Sequence, residues 1–170
     1  QSNHMSLKLT IKELVGFGRF PHSQGRLTPE DEKHIQEAID YMELTDMQDK
    51  YLDELSGGQR QRAYIAMVIA QDTEYVLLDE PLNNLDMHHS VKMMQVIRKL
   101  SEELGKTVII VMHDINFASC YSDHIIAFKN GKVAKAGPTK EIIKKEVLEE
   151  IYEMPFCIHR LNNQNICVYY

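Results

Sequence analysis

The 170-residue sequence predicts an α/β protein, with a helical subdomain over residues 1–70 and a parallel-sheet core with a C-terminal β-hairpin over 71–170. Three observations carry this reading. Residues 7–53 are polar and helix-patterned, without a convincing strand. Two short aliphatic runs, Tyr75–Leu78 and Thr107–Met112, flank a helical stripe, which makes a strand–helix–strand unit. Asn130-Gly131 then sits between His124–Lys129 and Lys132–Ala136 as the favoured two-residue turn of a hairpin.

The elements follow in order. Gly16 to Gly25 reads as a loop rich in Gly, Pro, Ser and His. Thr28-Pro29-Glu30-Asp31 starts a helix: a capping hydroxyl, proline at the first helical position, then acids that suit the positive end of the helix dipole. Ile35, Ala38, Ile39 and Met42 give that helix one apolar face. Ser56 is a natural cap for a further helix reaching Ala70. The runs at 75–78 and 107–112 do not alternate, so both strands are expected to be buried on two faces. Between them Val91, Met94, Ile97, Leu100 and Leu104 form a stripe closed by Gly105. Lys140–Glu153 is expected to be helical, and Ile166–Tyr170 to be a last strand.

Composition narrows the function. The longest apolar run, Ala63–Ala70, has 8 residues, against the roughly 18–20 of a membrane-spanning helix. A net charge of −6 argues against a surface that coats nucleic acid or anionic lipid. Cys120, Cys157 and Cys167 are odd in number and form no C-x-x-C pair, so neither a disulfide framework nor a zinc site is expected, and a reducing compartment is. Gln1–Thr10 lacks the charged start and apolar stretch of a secretory signal.

Two motifs carry chemistry. Tyr75–Leu78 runs into Asp79-Glu80, which puts a carboxylate at the C-terminal end of a strand, where α/β sheets bind ligands. An acid there can hold Mg²⁺ on a nucleotide, and a second can orient or deprotonate water. Leu55-Ser56-Gly57-Gly58-Gln59 opens an apolar helix, and paired glycines let a phosphate approach a helix N-terminus closely. Either motif alone reads as an acidic turn or an ordinary loop.

Together they resemble the ATP-binding cassette (ABC) family. Leu55–Gln59 matches its signature sequence, Ser56 precedes Asp79 by 23 residues, Asn83-Asn84-Leu85-Asp86 resembles its D-loop, and Val111-Met112-His113-Asp114 resembles its switch-histidine segment, 33 residues after Glu80. The resemblance implies a partial P-loop NTPase fold, ATP and Mg²⁺. It assigns Asp79 to the Mg²⁺ shell, Glu80 to the catalytic carboxylate and His113 to the γ-phosphate. Ser56, Gly57, Gly58 and Gln59 fall to nucleotide held by the opposite subunit, and Asp86 to the dimer interface.

Where the family places its Mg²⁺-linked glutamine, this chain has Gln1, although Gln1–Met5 also looks like what a protease site and a cloning site leave behind. No G-x-x-x-x-G-K-[ST] occurs, and Gly16-Phe17-Gly18 is no substitute, since Pro21 follows and no Lys-Ser or Lys-Thr does. The expectation is a C-terminal piece of a longer ATPase, unable by itself to bind ATP normally. It would be incompletely covered on its sheet where the strand and helix around the phosphate loop belong.

Val15–His22, with Gly18-Arg19-Phe20-Pro21-His22, is similar to the ATPases of ferric-siderophore, haem and vitamin B12 importers, and Ile166–Tyr170 is similar to the end of siderophore-uptake members. Implied partners are a second ATPase subunit, transmembrane permease subunits meeting the Gly16–Gly25 region and, indirectly, a substrate-binding protein, with no nucleic acid. The implied location is the cytoplasmic face of the cell membrane.

Two other classes stay open. A DNA-maintenance ATPase would need long heptad arms, and none separates Leu7 from Ser56. A non-catalytic interaction module would suit the missing phosphate loop. His88-His89 reads as a solvated helix start rather than a metal pair, because adjacent helical residues point apart. Arg60 and Arg62 read as packing or pairing groups as readily as phosphate ligands, and Met67, Met93 and Met94 as core filling.

Overall fold

The computed structural model describes residues 8–83 and 85–170, in two compact units, 1–110 and 111–170. Gln1 lies outside the described residues. The first unit contains helices α1 (Ile11–Phe17), α2 (Phe20–Ser23), α3 (Pro29–Tyr41) and α4 (Gly57–Ala70), strand β1 (Tyr75–Asp79), helix α5 (Met87–Glu102) and strand β2 (Thr107–Val111), whose last residue marks the division. The helical lobe and the strand–helix–strand unit therefore share one body.

Local chemistry starts each helix. Thr10 caps α1 and Thr28 caps α3 through reciprocal boxes, with Glu13 and Asp31 reaching back to the capping backbone N–H groups. Helices α1, α3 and α4 pack on one another and bury Ile11, Val15, Ile35, Ile39, Ala63, Ala66 and Ala70. The alanines allow a close approach, and at Gly18 the approach is closer still: a Cβ there would fall 2.2 Å from the carbonyl oxygen of Met67. That contact explains the glycine which a phosphate-loop reading could not use.

The expected loop at 16–25 is instead helical in two pieces, with Pro21 tolerated in the first turn of α2. Arg19, which opens that turn, is buried. Its Nε donates to Asp31 Oδ1 at 2.8 Å and its Nη1 to the Ala70 carbonyl at 3.0 Å, while His22 Nε2 donates to the Gln71 carbonyl at 2.9 Å. One guanidinium thus joins α2, the start of α3 and the end of α4. The Thr28 backbone N–H first, then Arg19, hold the Asp31 carboxyl down to about 2.

Strands β1 and β2 are hydrogen-bonded neighbours linked through α5, the crossover that parallel strands require. Their runs suit burial on both faces, but the two faces are unequally covered. Val76 and Leu78 are buried, but Tyr75 and Leu77 are 56% and 70% exposed, and Ile109 and Val111 are 50% and 51% exposed. Alternate residues of a strand point to opposite faces, so the described elements cover one face of this pair and leave the other open.

The second unit holds α6 (Ile115–Tyr121), β3 (His124–Lys129), β4 (Lys132–Pro138), α7 (Thr139–Ile142), α8 (Lys145–Tyr152), β5 (Cys157–Leu161) and β6 (Gln164–Val168). The hairpin turns at Asn130-Gly131, where both residues have the positive φ of a type I′ turn. The single helix expected at 140–153 is two: Lys144 is extended, and the break places Ile143 in a core with Ile115, Leu148, Phe156 and Cys167. The last strand has a partner the sequence reading missed, β5, joined to it through Asn162-Asn163, both at positive φ. Asn116 Oδ1 accepts from the Cys167 N–H at 2.7 Å while its Nδ2 donates to the Cys167 carbonyl at 3.1 Å, so an amide on α6 pairs with β6 as a strand would.

Candidate functional site

Asp79 ends β1 with its side chain exposed, and the chain turns at once. Glu80 stands at φ +47°, a left-handed conformation that bulky residues avoid. The turn is closed by the Asn83 N–H donating to the Glu80 carbonyl at 3.1 Å, and the Asn83 side-chain amide donates to Glu80 Oε2. Backbone strain of this kind persists where the surroundings over-determine it, and it clusters at functional sites. Here the Asn83 amide holds the orientation of the Glu80 carboxylate.

Ser56 caps α4 in a reciprocal box: the Gln59 N–H donates to Ser56 Oγ at 3.3 Å, and the Ser56 N–H donates to Gln59 Oε1 at 3.0 Å. The Ser-x-x-Gln spacing was the available signal for this role of Gln59, and the sequence reading passed over it. A hydroxyl accepts and donates at once, so this cap leaves the Ser56 O–H able to donate to an anion. The first-turn N–H groups at Gly57 and Gly58 have no intrahelical acceptors to reach, at the end of the helix where a negative charge is stabilised.

Arg60 Nε donates to the Leu52 carbonyl at 3.1 Å and Arg62 Nη1 to the Met42 carbonyl at 3.2 Å. Both brace the segment ahead of α4. Asp86 caps α5, accepting the His89 N–H at 2.9 Å, and it also meets the His89 ring. The His89 backbone and then its side chain keep the Asp86 carboxyl below the ordinary aspartate range. His113 follows β2 and belongs to the second unit, where Asp114 caps α6 by accepting from the Asn116 and Phe117 N–H groups at 2.8 and 3.0 Å.

The structure thus joins Asp79 to Glu80 on one turn, and Ser56, Gly57, Gly58 and Gln59 on one helix start, all within the first unit together with Asp86. These groups suit parts of a magnesium–nucleotide: a hard carboxylate for Mg²⁺ and a glycine-lined helix start for phosphate. The phosphate-cradling loop is no part of this sequence, so the donor set fits only in part. Among the described residues, no group of three or more His, Cys, Asp or Glu side chains is arranged to hold a metal by itself.

Similarity to known proteins follows the same residues. The pattern of the ABC transporter family matches residues 1–83. The petrobactin import ATP-binding protein YclP of Bacillus subtilis is 64% identical over all of this chain and 68% of its own length. This chain belongs to the ABC transporter ATPase family. A second ABC relative, the petrobactin import ATP-binding protein FatE of Bacillus anthracis, is 57% identical over 90% of this chain and 61% of its own.

Solved ABC structures agree on the P-loop NTPase fold. An inward-facing metal-chelate type ABC transporter superposes with a TM-score of 0.88 at 24% identity, over 97% of this chain and 68% of that one. A bacterial ABC transporter cassette solved as a dimer gives 0.66 at 35% identity, over 77% and 57%. The chain spans 61–68% of the length of these two petrobactin import ATP-binding proteins. No described helix is long and apolar enough to cross a membrane.

Proposed function

We propose that this chain is the signature-bearing, C-terminal part of an ATPase subunit that drives import of a ferric siderophore of the petrobactin class. The observation that carries it is the constellation on the first unit: the capped helix start Ser56–Gln59 and the strained Asp79-Glu80 turn, in a chain 64% identical to a petrobactin import ATP-binding protein.

In this reading residues 1–70 and 71–170 act as helical subdomain and α/β core. Asp79 holds Mg²⁺, together with Gln1 if that residue is natural. When bound, Mg²⁺ neutralises charge on the phosphates. A carboxylate oxygen of Glu80, oriented by Asn83, takes the proton of the attacking water, and His113 contacts the γ-phosphate. Ser56 and the Gly57, Gly58 and Gln59 backbone meet nucleotide on the partner subunit, with Asp86 at the interface. The dimer docks on transmembrane permease subunits at the cytoplasmic face, fed by a substrate-binding protein. The exposed Phe17 and Phe20, rather than the buried Arg19, offer the helical lobe's apolar contact to the permease.

The 170-residue chain alone lacks the phosphate loop, so it should not hydrolyse ATP, nor bind it below roughly millimolar Kd, about 4 kcal/mol. The substrate class is tested by uptake of radiolabelled ferric petrobactin into vesicles carrying the full-length subunit, permease and binding protein. ATP-dependent accumulation is expected. Uptake of another cargo with none of the iron chelate would refute the class.

A further inference from the structure

His88 and His89 lie in the first turn of α5, and His89 has two neighbours that the sequence did not foretell. Its ring Nδ1 lies 2.9 and 2.8 Å from the two carboxylate oxygens of Asp86. A carboxylate only accepts, so the Nδ1 atom carries the proton and the tautomer is fixed. The ring also lies against the first turn of α4: a Cβ on Gly58 would sit 3.0 Å from His89 Cδ2, 3.4 Å from Cγ and 3.7 Å from Nε2. A side chain at position 58 would press on the imidazole, which would have to give by a few tenths of an ångström. His88 touches only the edge of this arrangement, ring to ring at 5.6 Å.

We propose that His89 is a positioning residue that fixes the signature loop to the D-loop within one subunit. Asp86 sets the ring through Nδ1, and the ring sets the backbone of Gly58. Gly58 is then glycine for two reasons, one facing phosphate and the other facing His89. The proposal rests on the two-subunit nucleotide reading above, in which Gly58 and Asp86 both face the partner. With the imidazole between them the two loops approach the partner as one piece, so its loss should slow the closed, hydrolysing state more than the first binding of ATP.

Two measurements on the full-length protein test this. The first needs no nucleotide: thermal unfolding of Gly58→Ala, His89→Ala and the double variant. A new Cβ presses on the ring, so the change in Tm on Gly58→Ala should be clearly more favourable when His89 is alanine than when it is histidine. Additive changes would overturn the contact. The second is steady-state hydrolysis, where His89→Ala should lower kcat about tenfold and leave KM for ATP within about twofold. His89→Asn retains a donor towards Asp86 without a ring against Gly58 and should not recover the rate. An unchanged kcat in His89→Ala, or full recovery in His89→Asn, would overturn the proposal. A wild-type protein without any turnover would instead remove the nucleotide reading and leave the unfolding cycle to decide the tie.

Discussion

The helical lobe and the two-stranded sheet of the first unit meet the same physical demands in opposite degrees. Around α1, α3 and α4 the apolar stripes are matched face to face, and the buried Arg19 has both a carboxylate and a carbonyl to donate to. In the sheet, Val76 and Leu78 are covered while Tyr75, Leu77, Ile109 and Val111 lie open. The lobe finds its partners within some sixty residues of chain. A strand pair of this type needs layers on both faces, and the second layer is not among the described elements. Asp79 and Glu80, the carboxylates proposed to serve hydrolysis, sit at the end of the incompletely covered strand, whereas Ser56–Gln59 opens the well-packed helix α4. Stability and chemistry are therefore unevenly shared, and substitutions can expose the difference.

Removing Arg19 should have the largest effect. Arg19→Ala leaves a carboxylate buried without its cation, which costs about 3–5 kcal/mol, and chemical denaturation of the full-length protein would measure it. A loss within about 0.5 kcal/mol would mean that the lobe is not organised around this pair. The same site sets an acid limit. Asp31 has its carboxyl lowered to about 2 in the folded state, so its contribution is complete above the unfolded value near 4 and is lost as pH falls towards 2. In Asp31→Asn that segment of the stability–pH curve should flatten.

Neighbouring leucines of β1 should behave differently. Leu78→Ala, on the covered face, should cost about 2–5 kcal/mol, while Leu77→Thr, on the open face, should change stability by no more than about 0.5 kcal/mol. What Leu77→Thr should change is association. An exposed apolar face and an unpaired strand edge favour self-association, so light scattering of the 170-residue chain should fall in Leu77→Thr. Equal losses at the two positions would show that both faces are covered. Gly18→Ala should lie between the extremes, at about 1–3 kcal/mol, because its Cβ would collide with backbone rather than with a movable side chain.

Much of this was legible in the sequence because it is local. The Thr28 cap, the Asn130-Gly131 turn, the Ser56 cap and the Asp79-Glu80 strand end all depend on a few adjacent residues. The failures were non-local. Ile143 breaks a helix because a distant core accepts it. The Asn162-Asn163 turn carries a weaker signal than Asn-Gly, so β5 was not read. Arg19 stood in a stretch that looked like an exposed loop, and its partners Asp31 and Ala70 are 12 and 51 residues away. His89 looked solvated because nothing in the spacing of Gly58 and His89 announces that the starts of α4 and α5 touch. The open face of the sheet was legible by contrast: the apolar runs suit two-sided burial, and the segments around a phosphate loop that would supply one layer are no part of this sequence.

The central claim, that the strained Glu80 carboxylate serves hydrolysis rather than structure, is tested most directly by Glu80→Gln in the full-length protein. The amide keeps the shape but cannot act as a base. Phosphate release should fall to background while ATP stays bound, and an ATP-loaded dimer should accumulate on a sizing column. Phosphate release near the wild-type rate would contradict the account.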